Sequence, residues 1–576
     1  MSKNETTLTH PLRHMVVLSA IAVVMLFLFW RAVDLHALKS GFLQEEGDAR
    51  HLRVLKMAAH RGMITDRNGD PLAMSTPVDS VWANPREMQI EREQWPQLAK
   101  LLNMKIEVLQ RRLSQRRERS FVYLQRRINP NVAQAVMALS IPGISLQREY
   151  RRYYPAGEVA AHVVGFTNID DEGQEGLELA YDQWLQGTAG SKRVIKDRLG
   201  RVVENVESIA EPLPGKALRL SIDRRIQYLA YRELTTTVQQ HKASSGSAIV
   251  LDVRSGEVLA MVNRPSYNPN NRSTLHSGNY RNRAVTDVFE PGSTIKPFTV
   301  AAGLEAGKLT PKSLIDTSPG VLRVGRKAVR DLRDYGPINM ATILKKSSNV
   351  GASKIALGLQ PEQMREVFSQ FGFGDVTDSG FPGESAGQLT DSRRWRDIDR
   401  ATLSYGYGLS VTALQLAQAY SVVAGGGILK PVSFVALDDV TSKVGKQVIS
   451  KRTAKQIMSM LEGVIADGGT GTLARVPGFR IAGKTGTVQK YGAAGYSDER
   501  YVSLFAGAAP ASRPRLVMVV MIDEPHGEEY YGGRVAAPVF SRVMAGALRI
   551  LGVAPDDVED ASMRSASLAH VGTKVL

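Results

Sequence analysis

From Met15 to Trp30 the chain runs for sixteen residues without a charge, Met-Val-Val-Leu-Ser-Ala-Ile-Ala-Val-Val-Met-Leu-Phe-Leu-Phe-Trp. Arg31 can snorkel its head group to an interface, so the apolar stretch extends to Val33, close to the ~20 residues that cross a bilayer. Lys3, Arg13 and His14 precede it, and Trp30 suits a membrane interface. A cleaved secretion signal is the competing reading. No small-x-small cleavage site follows, since the next residues are Trp30-Arg31-Ala32-Val33-Asp34-Leu35-His36. The expectation is an uncleaved anchor over 15–33, a cytoplasmic tail of residues 1–14, and the bulk of the chain outside. No other segment is comparably apolar, so the rest must fold as globular domains around its own cores.

At 576 residues the chain is too long for one ordinary domain, and two to three are expected. With 43% hydrophobic and 23% charged residues the chain can bury large cores. It has no cysteine, which excludes disulfides and thiolate metal sites. Its ten histidines are scattered and no His-Glu-x-x-His occurs, so neither a metal nor a cofactor is expected. The net charge of +16 suits a polyanion, whether nucleic acid, anionic lipid or an anionic polymer, and charge alone does not choose. Seven arginines fall between Arg111 and Arg127, against Glu118 alone. They read as a solvated face before they read as a partner surface. No aromatic interleaving supports a nucleic-acid platform.

Along the chain, residues 34–56 alternate charged and apolar residues as a stalk would. Asp66-Arg67-Asn68-Gly69 reads as the turn of a hairpin. Residues 86–140 look helical. Residues 145–220, with short apolar runs between glycines, suggest β structure, including Lys196-Asp197-Arg198-Leu199-Gly200. Glu211-Pro212-Leu213-Pro214-Gly215 is the expected domain boundary. Beyond it, Leu218 to Asp223 leads into a helix ending near Gln240. A hairpin over 247–262 turns at Arg254-Ser255-Gly256-Glu257. Residues 479–482, 501–508 and 516–522 read as strands and 536–551 as a closing helix. That order implies an α/β (α+β) fold with one mostly antiparallel sheet and helices packed on it.

Chemistry enters at Glu290-Pro291-Gly292-Ser293-Thr294-Ile295-Lys296-Pro297-Phe298, a turn running into an apolar helix. Positions i and i+3 share a helical face, so the Lys296 amine can reach the Ser293 hydroxyl and activate it. A lone Ser-x-x-Lys is a weak signal. Here Ser347-Ser348-Asn349 and then Lys484-Thr485-Gly486-Thr487 follow in order, and that conjunction is the signature of penicillin-recognising serine acyltransferases. Taken alone, Ser347 and Asn349 read as capping residues at a helix end. Beside Ser293 they offer a hydroxyl to relay a proton and an amide to hold a carbonyl. Lys484, Thr485 and Thr487 can bind a carboxylate, and Lys484 would help keep Lys296 neutral. Tyr405-Gly406-Tyr407-Gly408 and Tyr530-Tyr531-Gly532-Gly533 are cleft-lining candidates. Gly478 to Thr485 also fits a phosphate-loop spacing, but that motif requires a helix straight after its Lys-Thr. Phe479 to Ala482 and the later Gly486 and Tyr491-Gly492 argue for a strand.

With these motifs in place the chain resembles the class B penicillin-binding proteins, of the cell-division (FtsI-like) type. The likeness rests on His60-Arg61-Gly62-Met63-Ile64-Thr65-Asp66-Arg67-Asn68-Gly69, Arg152-Tyr153-Tyr154-Pro155, Gly176-Leu177-Glu178, Phe289 to Ser293, Lys346 to Gly351 and Tyr405 to Ser410. Asn349 favours division, since the elongation type typically carries Asp there. The resemblance implies a β-rich pedestal, dimerisation-type domain over 34–215, a penicillin-binding transpeptidase domain over 216–555 and a tail over 556–576. It implies Ser293 as the acylated nucleophile and Lys296 as its base. Ser347, Asn349 and Lys484 would shuttle protons and position substrate, and the amides of Ser293 and Thr487 would form the oxyanion hole. Thr485, Gly486 and Thr487 would bind substrate beside Tyr407, Tyr501, Tyr530 and Tyr531. The substrates implied are peptidoglycan stem peptides ending in D-Ala-D-Ala, and β-lactams as their mimics. The partners implied are a polytopic septal glycosyltransferase and other divisome membrane proteins, with no nucleic acid. The location implied is the bacterial inner membrane, catalytic domain in the periplasm, at the septum. A β-lactam sensor, a D,D-carboxypeptidase and a β-lactamase-type hydrolase are the alternatives. No glutamate-bearing motif for activating water is evident between Ser347 and Lys484.

Overall fold

The apolar run forms the helix Pro11–Val33, exposed along its whole length and continued by a short turn, Asp34–Leu38. Twenty-three residues at 1.5 Å each span roughly 35 Å, enough for the hydrocarbon core of a bilayer. A computed structural model describes residues 11–39, 41, 52–196, 202–271, 273, 278–438, 445–492 and 495–557. Residues 1–10 of the expected tail, 42–51 of the stalk, Asp197 to Gly200 and the tail from 558 lie outside the described residues.

The described chain packs as two units that interleave in sequence. One takes residues up to 60, 77–151 and 187–214; the other takes 61–76, 152–186 and everything from 215. In the first, Leu52–Met57, Gly190–Lys196 and Val202–Ala210 form an antiparallel sheet. The stretch expected to be helical is only partly so. Helices Gln94–Leu101, Ile106–Ser114 and Pro130–Ala138 flank a strand, Val122–Ile128, that pairs with 79–83. Val122 and Leu124 alternate inward as a strand requires, a period masked by the arginines beside them. Those arginines have local work: Arg112 Nη1 donates to the Leu124 carbonyl at 2.6 Å, and Arg126 pairs with Glu149 at 3.2 Å.

In the second unit the Asp66–Gly69 turn joins Ile64–Thr65 to an antiparallel partner beginning at Pro71. The segment 152–186 departs from the expected β structure, with helices Ala161–Val164, Gly176–Ala180 and Asp182–Leu185. Its glycines serve close packing rather than strand turns; a Cβ on Gly165 would lie 1.7 Å from the Glu175 carbonyl oxygen. Glu178, fully buried, accepts from Arg61 Nε at 2.8 Å and Arg152 Nε at 2.6 Å.

The large sheet of this unit has the order Val258–Arg264, Ser245–Asp252, Leu516–Asp523, Gly495–Ala509, Ala482–Gly492, antiparallel throughout. Ser245–Asp252 is buried at every residue because helices cover both faces. Its side chains alternate between two cores: Ile249 and Leu251 face one, Ala248 and Val250 the other. Helices Lys296–Glu305, Ala413–Ala424 and Lys451–Ile465 contribute to the first core, Arg224–Gln240 and Gly532–Ile550 to the second. The last strand begins at Ala482 rather than spanning 479–482. Phe479 instead closes a tight turn, its N–H donating to the Val476 carbonyl at 3.0 Å. Because a strand runs through Lys484-Thr485-Gly486, the helix that a phosphate loop needs is absent there.

Candidate active site

Ser293 stands in a single 3-10 turn, Gly292–Ile295, that runs straight into Lys296–Glu305, with Pro297 in the first turn where no N–H is missed. The turn is held from behind. Tyr420 Oη donates to the Thr294 carbonyl at 2.8 Å, and Thr299 Oγ1 to the Ser404 carbonyl at 2.8 Å. Phe298 is fully buried between Phe371, Phe373 and Tyr420, at 4.7, 5.1 and 5.4 Å between ring centres. Burying such a ring is worth about 2–3 kcal/mol, so the helix cannot slide without losing it.

Lys296 Nζ lies 2.9 Å from Ser293 Oγ, 2.6 Å from the Ser347 carbonyl, 2.7 Å from Asn349 Oδ1 and 3.1 Å from Ser347 Oγ. The carbonyl and the amide oxygen can only accept. A neutral amine spends its two N–H bonds on them and turns its lone pair to the serine hydroxyl, the arrangement of a general base. Burial pushes the Lys296 amine well below the ordinary lysine range; Lys484 adds to the fall and Asp331 opposes it. Lys484 is also fully buried, and burial brings it down to about 7. Its Nζ donates to Ser347 Oγ at 3.0 Å and to the Thr485 carbonyl at 3.0 Å. Ser347 Oγ thus sits between the two lysines.

The middle motif differs from the capping reading in which residue does the capping. Ser347 ends the helix Met340–Lys346 in a left-handed conformation, φ 59°, which turns its carbonyl onto Lys296. Ser348 caps the next helix, Asn349–Leu357, accepting from Gly351 N at 2.8 Å. Asp331 clamps that helix start, accepting from Ser348 Oγ and Asn349 N, both at 2.5 Å, and from Val350 N at 3.1 Å.

The third motif lies on the edge strand against the serine turn. A Cβ on Gly486 would meet Thr294 Cγ2 at 3.0 Å and the Pro291 carbonyl oxygen at 3.2 Å, so any side chain there would push the strand and the serine turn apart by a few tenths of an ångström. Thr485 Oγ1 pairs with Thr470 Oγ1 at 2.8 Å, and Thr487 Oγ1 accepts from Gly532 N at 3.0 Å. Ser293, Ser347, Asn349, Thr485, Thr487 and Tyr531 share a cavity of about 540 Å³. Tyr407, Tyr501 and Tyr530 stand outside its wall. Tyr501 stacks on Tyr530, 4.2 Å between centres, and Tyr530 on Tyr531 at 4.5 Å, while Tyr407 meets Tyr405 and Tyr496 edge-on.

Two family profiles match the chain: "Penicillin-binding Protein dimerisation domain" over residues 56–220 and "Penicillin binding protein transpeptidase domain" over 246–545. The chain belongs to the class B penicillin-binding proteins. It is 43% identical over 541 residues to the peptidoglycan D,D-transpeptidase FtsI of Escherichia coli strain K12, covering 93% of this chain and 91% of that protein. It is 38% identical to the protein of the same name from Buchnera aphidicola subsp. Schizaphis graminum, covering 95% and 96%. Among solved structures, the transpeptidase domain of Burkholderia pseudomallei penicillin-binding protein 3 is 41% identical, with TM-score 0.55 over 58% of this chain and 97% of that one. A peptidoglycan synthetase from Bifidobacterium adolescentis is 25% identical, with TM-score 0.70 over 88% and 98%.

Sequence reasoning missed Asp331, Thr470 and Arg534, all of which line the cavity. Arg330-Asp331-Leu332-Arg333-Asp334 reads as an ordinary charged loop, and nothing local announces a clamp. Gly469-Thr470-Gly471-Thr472 echoes the later Lys484-Thr485-Gly486-Thr487 and was the one available signal.

Proposed function

We propose that this penicillin-binding protein cross-links septal peptidoglycan through an acyl-enzyme on Ser293. The donor is a stem peptide ending in D-Ala-D-Ala. Lys296 takes the Ser293 hydroxyl proton as Oγ attacks the carbonyl of the penultimate D-Ala. The C–N bond breaks, the proton reaches the leaving amine by way of Ser347 Oγ and Lys484, and the last D-Ala departs. An amine on a neighbouring strand then attacks the ester, and its proton returns to Ser293. Asn349 and Gly486 position the donor backbone, Thr485 and Thr487 hold its carboxylate, and the amides of Ser293 and Thr487 receive the oxyanion. Tyr407, Tyr501, Tyr530 and Tyr531 form the aromatic flank. β-Lactams enter as donor mimics.

The observation that carries this reading is Lys296 Nζ, buried and 2.9 Å from Ser293 Oγ, with its N–H bonds taken by two groups that can only accept, the Ser347 carbonyl and Asn349 Oδ1. The helix Pro11–Val33 suits an inner-membrane anchor that leaves residues 34–215 as a pedestal and 216–555 as the catalytic domain in the periplasm. The pedestal would dock the septal glycosyltransferase and other division proteins. Mass spectrometry after exposure to penicillin tests the chemistry. One adduct on Ser293, lasting beyond the minutes of the assay and missing in Ser293→Ala, is expected. An adduct elsewhere would overturn the site, and rapid turnover would make the protein a hydrolase.

A further inference from the structure

The wall of the cavity that carries the Thr485 and Thr487 hydroxyls is completed by the start of the helix Gly532–Ile550. The helix sits directly on the edge strand. Gly532 N donates to Thr487 Oγ1 at 3.0 Å, and a Cβ on Gly533 would come 3.4 Å from Thr485 Cγ2. The Gly532 amide occupies a lone pair of the Thr487 hydroxyl, so its proton is left to donate into the cavity. Arg534, the next residue, lines the same wall.

Two hydroxyls can orient a carboxylate but supply no charge. Lys484 is the obvious cation, yet it is fully buried and its Nζ is committed to Ser347 Oγ and the Thr485 carbonyl. It forms no part of the cavity wall. The cations on the wall are Arg330, Lys346 and Arg534. Lys346 Nζ donates to the Gly468 carbonyl at 2.8 Å. The Arg330 guanidinium has no hydrogen bond or ion pair among the described residues, but Arg330 lies on the Asn349 side of the cavity, where its carbonyl accepts from Asn349 Nδ2 at 3.1 Å. Arg534 lines the same cavity directly after Gly532 and Gly533, the residues that meet Thr487 and Thr485, and among the described residues its guanidinium has neither a hydrogen bond nor an ion pair.

We propose that Arg534 is the charge partner of the donor's terminal carboxylate, with Thr485 and Thr487 setting its orientation. The inference rests on the reading of this cavity as the donor site. A guanidinium offers the planar fork that fits a carboxylate. Recognition of the free acid over an uncharged ester is therefore built into this wall, and Lys484 is left to proton traffic.

The test compares second-order acylation by benzylpenicillin, which carries the carboxylate, with acylation by its uncharged methyl ester. The acid-to-ester ratio is read within each protein, so a general loss of activity cancels. In Arg534→Gln the ratio falls about tenfold, the size of one charge-assisted contact, and acylation by the acid loses much of its salt dependence. Arg534→Lys keeps the charge and retains most of the ratio. A ratio in Arg534→Gln within about twofold of wild type, less than such a contact is worth, overturns the proposal. So does a wild-type protein that reacts equally with acid and ester. An absent Ser293 adduct in the wild type would instead sink the reading of the cavity itself.

Discussion

Gly406 and Gly408 allow the motif Tyr405-Gly406-Tyr407-Gly408 to be tested by a matched pair of substitutions. Both glycines have left-handed backbones, φ +94° and +82°. Alanine at either position carries about 1–3 kcal/mol of backbone strain, and melting temperature should fall by roughly 5 °C in Gly408→Ala and further in Gly406→Ala. Their surroundings differ. A Cβ on Gly408 meets nothing within 4 Å, whereas one on Gly406 would lie 2.1 Å from the Gly292 carbonyl oxygen and 2.4 Å from its nitrogen. Both atoms are backbone and adjoin Ser293, so no side chain can rotate away. Relieving the clash moves the serine turn by about 1 Å, and a misplacement of that size costs about a hundredfold in rate. Gly406→Ala should therefore acylate about a hundredfold more slowly with a fluorescent penicillin, while Gly408→Ala stays within about threefold of wild type. Circular dichroism and thermal melting establish that both variants are folded. Equal acylation rates for the two would refute the claim that the Tyr-Gly-Tyr-Gly loop sets the serine turn.

Lys484→Ala removes a charge that helps keep Lys296 neutral, so the acid limb of the acylation rate against pH should move to higher pH as the overall rate drops. A limb that stays in place would show that burial alone sets the base. Glu178→Gln leaves the buried Arg152 guanidinium without a counter-charge and Arg61 with Asp182 alone, a loss of about 3–5 kcal/mol. Calorimetry should show the melting temperature reduced by roughly 10 °C, and an unchanged value would mean the network contributes nothing.

The parts of the site legible in the sequence were those carried by short local patterns. Ser293 and Lys296 are three residues apart in a turn and helix start, and the i, i+3 rule brought them to 2.9 Å. Gly486 was legible as part of a motif, but its reason was not. The residues it must clear, Pro291 and Thr294, are nearly two hundred positions away and meet it only through the fold. Asp331 clamps Ser348 and Asn349 across a loop whose composition predicts nothing. In the fold, alternation and breakers located four of the five strands in the large sheet closely. They failed where arginines hid the period of Val122–Ile128, and where Phe479 packed at a turn rather than in a strand. The interleaving of 61–76 and 152–186 with the later unit has no local signal, because packing partners are chosen by tertiary complementarity rather than chain order.

The pair of buried lysines links these observations. Had Lys296 been activated by a carboxylate beside it, the partner would have raised its pKa and held it protonated at neutral pH. The site uses burial and a second amine instead, and both act toward a neutral Lys296. Burial lowers Lys484 to about 7 as well, and its Nζ is committed to Ser347 Oγ and the Thr485 carbonyl. Ser347 Oγ, 3.1 Å from one amine and 3.0 Å from the other, gives the two lysines a shared path for a proton. A site arranged in this way needs its substrate-binding charge from outside the buried pair. As proposed, that charge comes from Arg534, which lines the cavity together with Thr485 and Thr487.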